Sequence, residues 1–405
     1  MSGGYLEVLR TAGALRVFVP ALIGRLSFAM VTLVLLFAVQ RSTDSFAIAG
    51  AAIGAFGLAN VIASPYRARF VDRRGQRFAL NSLAIAFAAG LSGIAALTAQ
   101  SGPPAGVLIG LAAVVGLFPP PLGASMRVLW GSITMPGALR TKAYSVDAVC
   151  EELLFTTGPL IAAAIVGAAS PTIGLLATAL VAVVGTLGMT SSSLSRGRVA
   201  VAASPRKRSR PLRQKGFIPV LIALLGVGVV LGTVEVVAPA VADTHGSVGL
   251  AGILLASFAA GSAVGGLLYG LRSWRSSLVN RLIILGTVMT VLCALQTTIG
   301  SFAVLGFGLA AVGFFLAPSL VTGYLLADDL TAAEVRTEAS SWINTAVNAG
   351  AAVAAAIVGF AVDAVEPRLG FIIGAGMALT LVVAASVPLL RNSRPAAVAD
   401  PVQSE

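Results

Sequence analysis

The chain has 405 residues, of which 57% are hydrophobic and only 11% charged, and a mean hydropathy of +0.94; soluble domains carry about 25% charged residues. Its net charge of +11 would suggest a nucleic-acid partner in a water-soluble chain. Here, however, the charges sit between apolar runs too long for a soluble core, so the basicity reports membrane topology and excludes nucleic acid as the expected partner. Cys150 and Cys293 lie in apolar runs with no CxxC and no cluster of histidines or thiols, so free thiols and no metal site are expected.

Windows of about twenty residues predict twelve apolar spans, at 17–39, 46–66, 79–99, 105–126, 146–168, 172–192, 217–240, 249–271, 282–299, 302–326, 343–362 and 371–390. The first span follows Arg10 and Arg16 and is longer than a signal-peptide core, so it reads as retained. Short connections alternate with basic ones, which makes sequential spans antiparallel neighbours. Every Lys and Arg except Arg25, Arg41 and Arg368 falls on one side of this arrangement. Basic residues accumulate in short cytoplasmic connections, so both termini are expected in the cytoplasm of a multi-pass protein of the cytoplasmic membrane.

The longest polar stretch, 193–216, holds eight basic residues and no acid, with Pro205 and Pro211. It divides the chain into an N-terminal six-helix bundle (1–192) and a C-terminal one (217–390), followed by a polar tail (391–405) expected to be disordered. A basic linker of this kind lies near anionic headgroups or merely fixes topology. His245 falls in another polar connection, where a solvated role is the ordinary one.

A shift of about 200 residues superposes parts of the two halves. Phe18-Val-Pro-Ala-Leu-Ile23 matches Phe217-Ile-Pro-Val-Leu-Ile222, Ala49, Gly50 and Phe56 match Ala251, Gly252 and Phe258, and Arg140-Thr-Lys-Ala143 matches Arg336-Thr-Glu-Ala339. A shift across an even number of spans preserves direction, so the halves are expected to be parallel repeats with substrate at their interface.

After the second span the chain reads Ala68-Arg-Phe-Val-Asp72-Arg73-Arg-Gly75-Gln-Arg77. With twelve spans and a half repeat, this resembles the major facilitator superfamily, whose motif there is Gly-x-Leu-Ala-Asp-Arg-x-Gly-Arg-Lys. Asp72, Arg73, Gly75 and Arg77 match, while Ala68 and Phe70 stand where the motif has glycine and leucine. The resemblance implies an all-α membrane fold of two parallel six-helix repeats, a transporter and not an enzyme, and a cytoplasmic latch in which Asp72 meets the start of the eleventh helix near Ser341. An acid at a helix N-terminus is favoured by about 0.3–1 kcal/mol when exposed. The equivalent segment of the second half, Gly270-Leu-Arg-Ser-Trp274-Arg275, has tryptophan at the aspartate position.

Carboxylates at membrane depth are costly and default to functional candidates. Asp147, Glu151 and Glu152 fall in the fifth span, ahead of Gly158-Pro159, and Glu235 stands alone in the seventh. The family fold makes the first and fifth helices neighbours, so Arg25 is expected to pair with Glu152 or Glu151, as a structural tie or as a proton or substrate site. Glu235 reads as a proton-exchanging acid or a carboxylate snorkelled to the interface. Repeat alignment sets Asn348 against Glu152, with Asn344 one turn earlier, making both cavity candidates or ordinary helix–helix contacts. Gly158-Pro159 retains the centre of the antiporter motif of drug exporters and predicts a kink. Arg127-x-x-x-Gly131 resembles the family's fourth-helix arginine motif but sits at the predicted membrane edge.

No GxxxxGK[ST] or strand-borne GxGxxG occurs, so no nucleotide motor is expected. The sequence thus points to a monomeric secondary transporter without cofactor, moving a small solute, with proton-coupled efflux of a hydrophobic or amphipathic compound as the leading version. Uptake of a metabolite, or a non-transporting sensor or lipid-handling protein, are the alternatives.

Overall fold

The structure is a computed structural model, and it describes residues 5–44, 46–100, 103–196, 210–243, 248–364, 366 and 368–392. Most of the basic linker, His245 and the tail beyond Asn392 lie outside the described residues.

All described elements are helical. In chain order they are α1 (Tyr5–Arg10), α2 (Ala14–Thr43), α3 (Phe46–Arg74), α4 (Gln76–Thr98), α5 (Ala105–Gly116), α6 (Leu122–Ile133), α7 (Ala138–Ala168), α8 (Pro171–Ser191) and the single turn α9 (Ser193–Arg196). The second half has α10 (Phe217–Asp243), α11 (Val248–Leu271), α12 (Leu278–Leu295), α13 (Phe302–Gly313), α14 (Leu316–Leu330), α15 (Arg336–Ala364) and α16 (Leu369–Asn392). Ten stretches among the described residues are long and apolar enough to cross a membrane. The 29-residue α3 and the pair α5/α6 complete twelve passages.

Two of the predicted spans are not single helices. Pro119, Pro120 and Pro121 follow α5; three residues without backbone N–H cannot continue a helical ladder, so the fourth passage stops at Gly116 and restarts at Leu122. A hydropathy window averages over this break and cannot see it. The tenth passage is interrupted more gently at Phe314 and Phe315, between α13 and α14.

The two halves repeat the same neighbours: α2 packs on α7 and α8 as α10 packs on α15 and α16, α3 on α5 as α11 on α13, and α4 on α8 as α12 on α16. They meet where α3, α6 and α7 of the first half touch α11, α14 and α15 of the second. One buried apolar core runs across both halves, joining Leu122, Trp130 and Tyr144 to Leu224, Tyr324 and Ile343. A separate core, built on Met30, Val34, Phe56, Phe87 and Leu108, belongs to the first half alone.

Lipid supplies little hydrophobic drive between helices, so close backbone approach carries the packing. An ideal Cβ built on Gly261 would lie 1.9 Å from the carbonyl oxygen of Ala310, and one on Gly265 would lie 1.9 Å from that of Phe314. Likewise a Cβ on Gly228 would fall 2.0 Å from the carbonyl oxygen of Val347. Gly261→Val or Gly228→Val must therefore push two helices apart, an overpacking cost of about 1–3 kcal/mol. We expect each to lower the thermal midpoint of the detergent-solubilised protein, while Gly110→Ala, which meets no atom within 4 Å, leaves it unchanged.

Candidate functional site

A cavity of about 420 Å³ lies between the halves. Its walls come from α2, α3, the proline break before α6, and α7 on one side, and from α10, α14 and α15 on the other. Of the residues singled out in the sequence, Arg25, Glu151, Glu152, Glu235, Asn344 and Asn348 all line it.

Beside the cavity two guanidiniums and two carboxylates of the first half are packed together. Arg25 Nη2 on α2 donates to Asp147 Oδ1 on α7 at 2.8 Å. Arg127 Nη1 on α6 contacts Asp147 Oδ2 at 3.2 Å and Glu151 Oε2 at 3.1 Å. Arg127 is 1% exposed and Asp147 0%. This corrects the expected partner of Arg25, which is Asp147 and neither Glu151 nor Glu152. The reason is depth: α7 begins at Ala138, eight residues before the predicted span, so the residue level with Arg25 lies one turn nearer the start of the helix, at ~1.5 Å per residue.

Arg127 is the main residue that sequence reasoning set aside. Its Arg127-x-x-x-Gly131 pattern was the signal, and the predicted edge of the fourth span hid it; the proline break turns α6 into a separate twelve-residue segment that carries Arg127 into the cluster. The same break leaves the carbonyl end of α5 open, and Arg67 caps it, donating from Nη1 to the Gly116 oxygen at 3.0 Å and from Nη2 to Asn60 Oδ1 at 2.8 Å. A cation at a helix C-terminus is well placed against the helix dipole.

The second half touches this cluster through a neutral ring. Tyr324 of α14 lies under the Arg127 guanidinium, 3.9 Å from its centroid, and donates to Asn344 Oδ1 of α15 at 2.5 Å. Tyr144 and Tyr324 meet edge to face with centroids 6.5 Å apart.

At the basic end of the bundle the halves are joined by charge. Asp72 Oδ2 accepts from the backbone N–H of Glu338, in the first turn of α15, at 3.0 Å. Arg69 donates to both oxygens of Glu338, from Nε at 3.0 Å and from Nη2 at 2.5 Å, and Ser64 and Ser341 share a hydrogen bond of 2.7 Å. Gly75, at φ 81°, makes the turn into α4; a side chain there would be strained. Neither Arg73 nor Arg77 has an ion pair among the described residues. Asp328, at the end of α14, collects Arg140, Arg336 and the Tyr144 hydroxyl; none of these was singled out beforehand except through the Arg140/Arg336 repeat match.

The helix α7 continues through Pro159. Gly158 faces α2, where a Cβ would come 2.5 Å from that of Ala29, so the pair Gly158-Pro159 serves a close helix contact beside the cavity. Among the described residues no group of His, Cys, Asp and Glu could hold a metal ion.

Two cations share two anions, and removing Asp147, the buried one, leaves Arg25 without an ion pair among the described residues and Arg127 with Glu151 alone. Loss of one partner of a buried ion pair costs about 3–5 kcal/mol. Asp147→Asn is therefore expected to destabilise the protein far more than Glu152→Gln, whose carboxylate forms no ion pair among the described residues; thermal unfolding of the two variants side by side measures the difference. Equal midpoints would remove the cluster from its structural role.

The family model of the Major Facilitator Superfamily matches residues 220–404. No curated protein matches the chain significantly. Among solved structures, the human organic anion transporter MFSD10 (TETRAN) superposes with a TM-score of 0.68 at 17% identity, covering 95% of this chain and 100% of that one. A bacterial homologue of the iron transporter ferroportin, in an outward-facing state with soaked iron, superposes with a TM-score of 0.68 at 16% identity, covering 94% of this chain and 99% of that one. Identities this low speak for the fold. The second half thus matches the family model of the Major Facilitator Superfamily, and the chain as a whole shares the fold of these two membrane transporters.

Proposed function

We propose that the protein exports an amphipathic small solute in exchange for protons, by rocking 1–192 against 217–390 about the connector 193–216. The observation that carries this reading is the content of the cavity. Once Arg25 and Arg127 are matched by Asp147 and Glu151, two carboxylates remain on its walls without an ion pair among the described residues: Glu152 on α7 and Glu235 on α10, one from each half. A carboxylate at membrane depth that lacks a cation is a natural proton carrier, because its charge is expensive there. Around these acids the lining is mixed. Phe28 and Phe155, in edge-to-face contact with centroids 6.1 Å apart, stand with Leu231 and Val347 beside Asn344 and Asn348. Such a wall suits a solute with an apolar body and a polar group.

Orientation follows from charge. The end joined by Asp72, Glu338 and Asp328 carries the arginine-rich connections, and the positive-inside rule makes it cytoplasmic, with both termini on that side of the cytoplasmic membrane. The contacts between halves then close the cytoplasmic side, which agrees with the likeness to a chain captured outward-facing.

The test is flux in proteoliposomes under an imposed pH gradient, after a counterflow screen across lipophilic cations, organic anions and sugars has found a substrate. Gradient-driven transport is expected to fall close to background in Glu235→Gln and Glu152→Gln, with substrate exchange at symmetrical pH retained. Flux that ignores the gradient and both substitutions would refute proton coupling; a gradient that drives accumulation inward would reverse the assigned direction.

A further inference from the structure

The repeat that relates the halves places Arg140 at the start of α7 and Arg336 at the start of α15. These equivalent arginines, one from each half, reach the same carboxylate. Arg140 Nη1 lies 3.8 Å from Asp328 Oδ2, and Arg336 Nε lies 3.7 Å from Asp328 Oδ1. The Asp328 side chain is 9% exposed and those of Arg140 and Arg336 13% and 23%, so water screens this trio poorly. The Tyr144 hydroxyl, from the first half, sits between Asp328 Oδ2 and the Arg127 carbonyl oxygen, either of which can take its single proton.

Guanidiniums stay charged at any physiological pH. Closing the basic end brings Arg140 and Arg336 onto one another's side of the seam, and like charges in a half-buried site repel unless an anion stands between them. The first half sets a carboxylate of its own against the start of α15: Asp72, in the last turn of α3 just before the turn at Gly75, accepts from the Glu338 backbone N–H. At the equivalent turn of the second half, Trp274 occupies the aspartate position, donating from Nε1 to the Tyr269 oxygen at 3.0 Å and stacking under Arg272. The second turn thus supplies no carboxylate to α7.

We propose that Asp328 is the counter-ion that replaces it: a second lock between the halves, carried by the end of α14, whose charge permits Arg140 and Arg336 to approach when the basic end closes. The proposal rests on the rocking motion described above and adds the residue that holds one of its end states.

The experiment uses the full chain in lipid nanodiscs, with Cys150→Ala and Cys293→Ala, and spin labels at Met135→Cys and Glu334→Cys. Both positions are exposed, one in each half, on the connections before α7 and α15. Pulsed electron resonance reads the distance between them. Asp328→Asn keeps the size and the acceptor for Tyr144 but removes the charge, and it should enlarge the long-distance population several-fold. Adding Arg140→Gln or Arg336→Gln to Asp328→Asn should return the distribution toward that of the parent, since one arginine then has no rival. A hydrogen-bonding or packing role alone would not be rescued by deleting an arginine. An unchanged distribution in Asp328→Asn overturns the lock; if Asp72→Asn still widens the distance, the rocking reading survives, and if it does not, that reading fails as well. Should Asp328→Asn not fold, the charge-balanced Asp328→Asn/Arg140→Gln variant decides: folded and closed supports the counter-ion, unfolded or open refutes it.

Discussion

The structure depends on how it keeps charge inside a hydrocarbon interior. Arg25, Arg127, Asp147 and Glu151 neutralise one another within the first half, tying α2, α6 and α7 together. No member of that set needs a partner from the second half. The cluster itself meets the second half through the ring of Tyr324 under Arg127, a contact of about 0.5–2 kcal/mol. The halves can part there without stranding a buried ion, whereas an ion pair shared across the seam would cost several kcal/mol to separate. Strong cross-half charge contacts sit instead at the basic end, where water can replace each partner as the seam opens.

The broken fourth passage follows from the same need. An uninterrupted helix across 105–133 would give α6 a different rotation and register, and three consecutive prolines forbid it. The break creates an open carbonyl end on α5, which Arg67 covers, and a fresh helix start that delivers Arg127 beside Asp147. Three local features, Pro119 to Pro121, Arg67 and Arg127, are therefore one arrangement.

Much of the architecture was legible in the sequence because hydropathy is a strong, additive signal over twenty residues. The repeat was legible through Phe18 to Ile23 and Arg140 to Ala143, positions where both halves meet the same neighbours. The charge cluster was only half legible. Depth read from the edge of an apolar run misplaces a helix whose first turns are polar, and α7 starts with Arg140 and Lys142 inside it; hence Arg25 seemed level with Glu152 and is level with Asp147. Tyr324 and Asp328 carried no signal of their own, since a tyrosine in an apolar run and an acid at its end are both commonplace. Their significance comes from what the other half brings to them, and pairwise proximity across ~180 residues is not a property of any local pattern.

The two halves share a plan of packing and divide the chemistry unequally. On α2 the first half carries Arg25; at the matching depth of α10 the second half carries no basic residue, and glycines press that helix instead against α15, with Gly228 on Val347 and Gly232 on Ala351. Backbone contact of this kind makes α10, α15 and α16 a close-packed unit, while the first half is held by charge as well as by shape. The first half keeps its geometry only while its charges stay matched, whereas the second keeps its own through backbone contact.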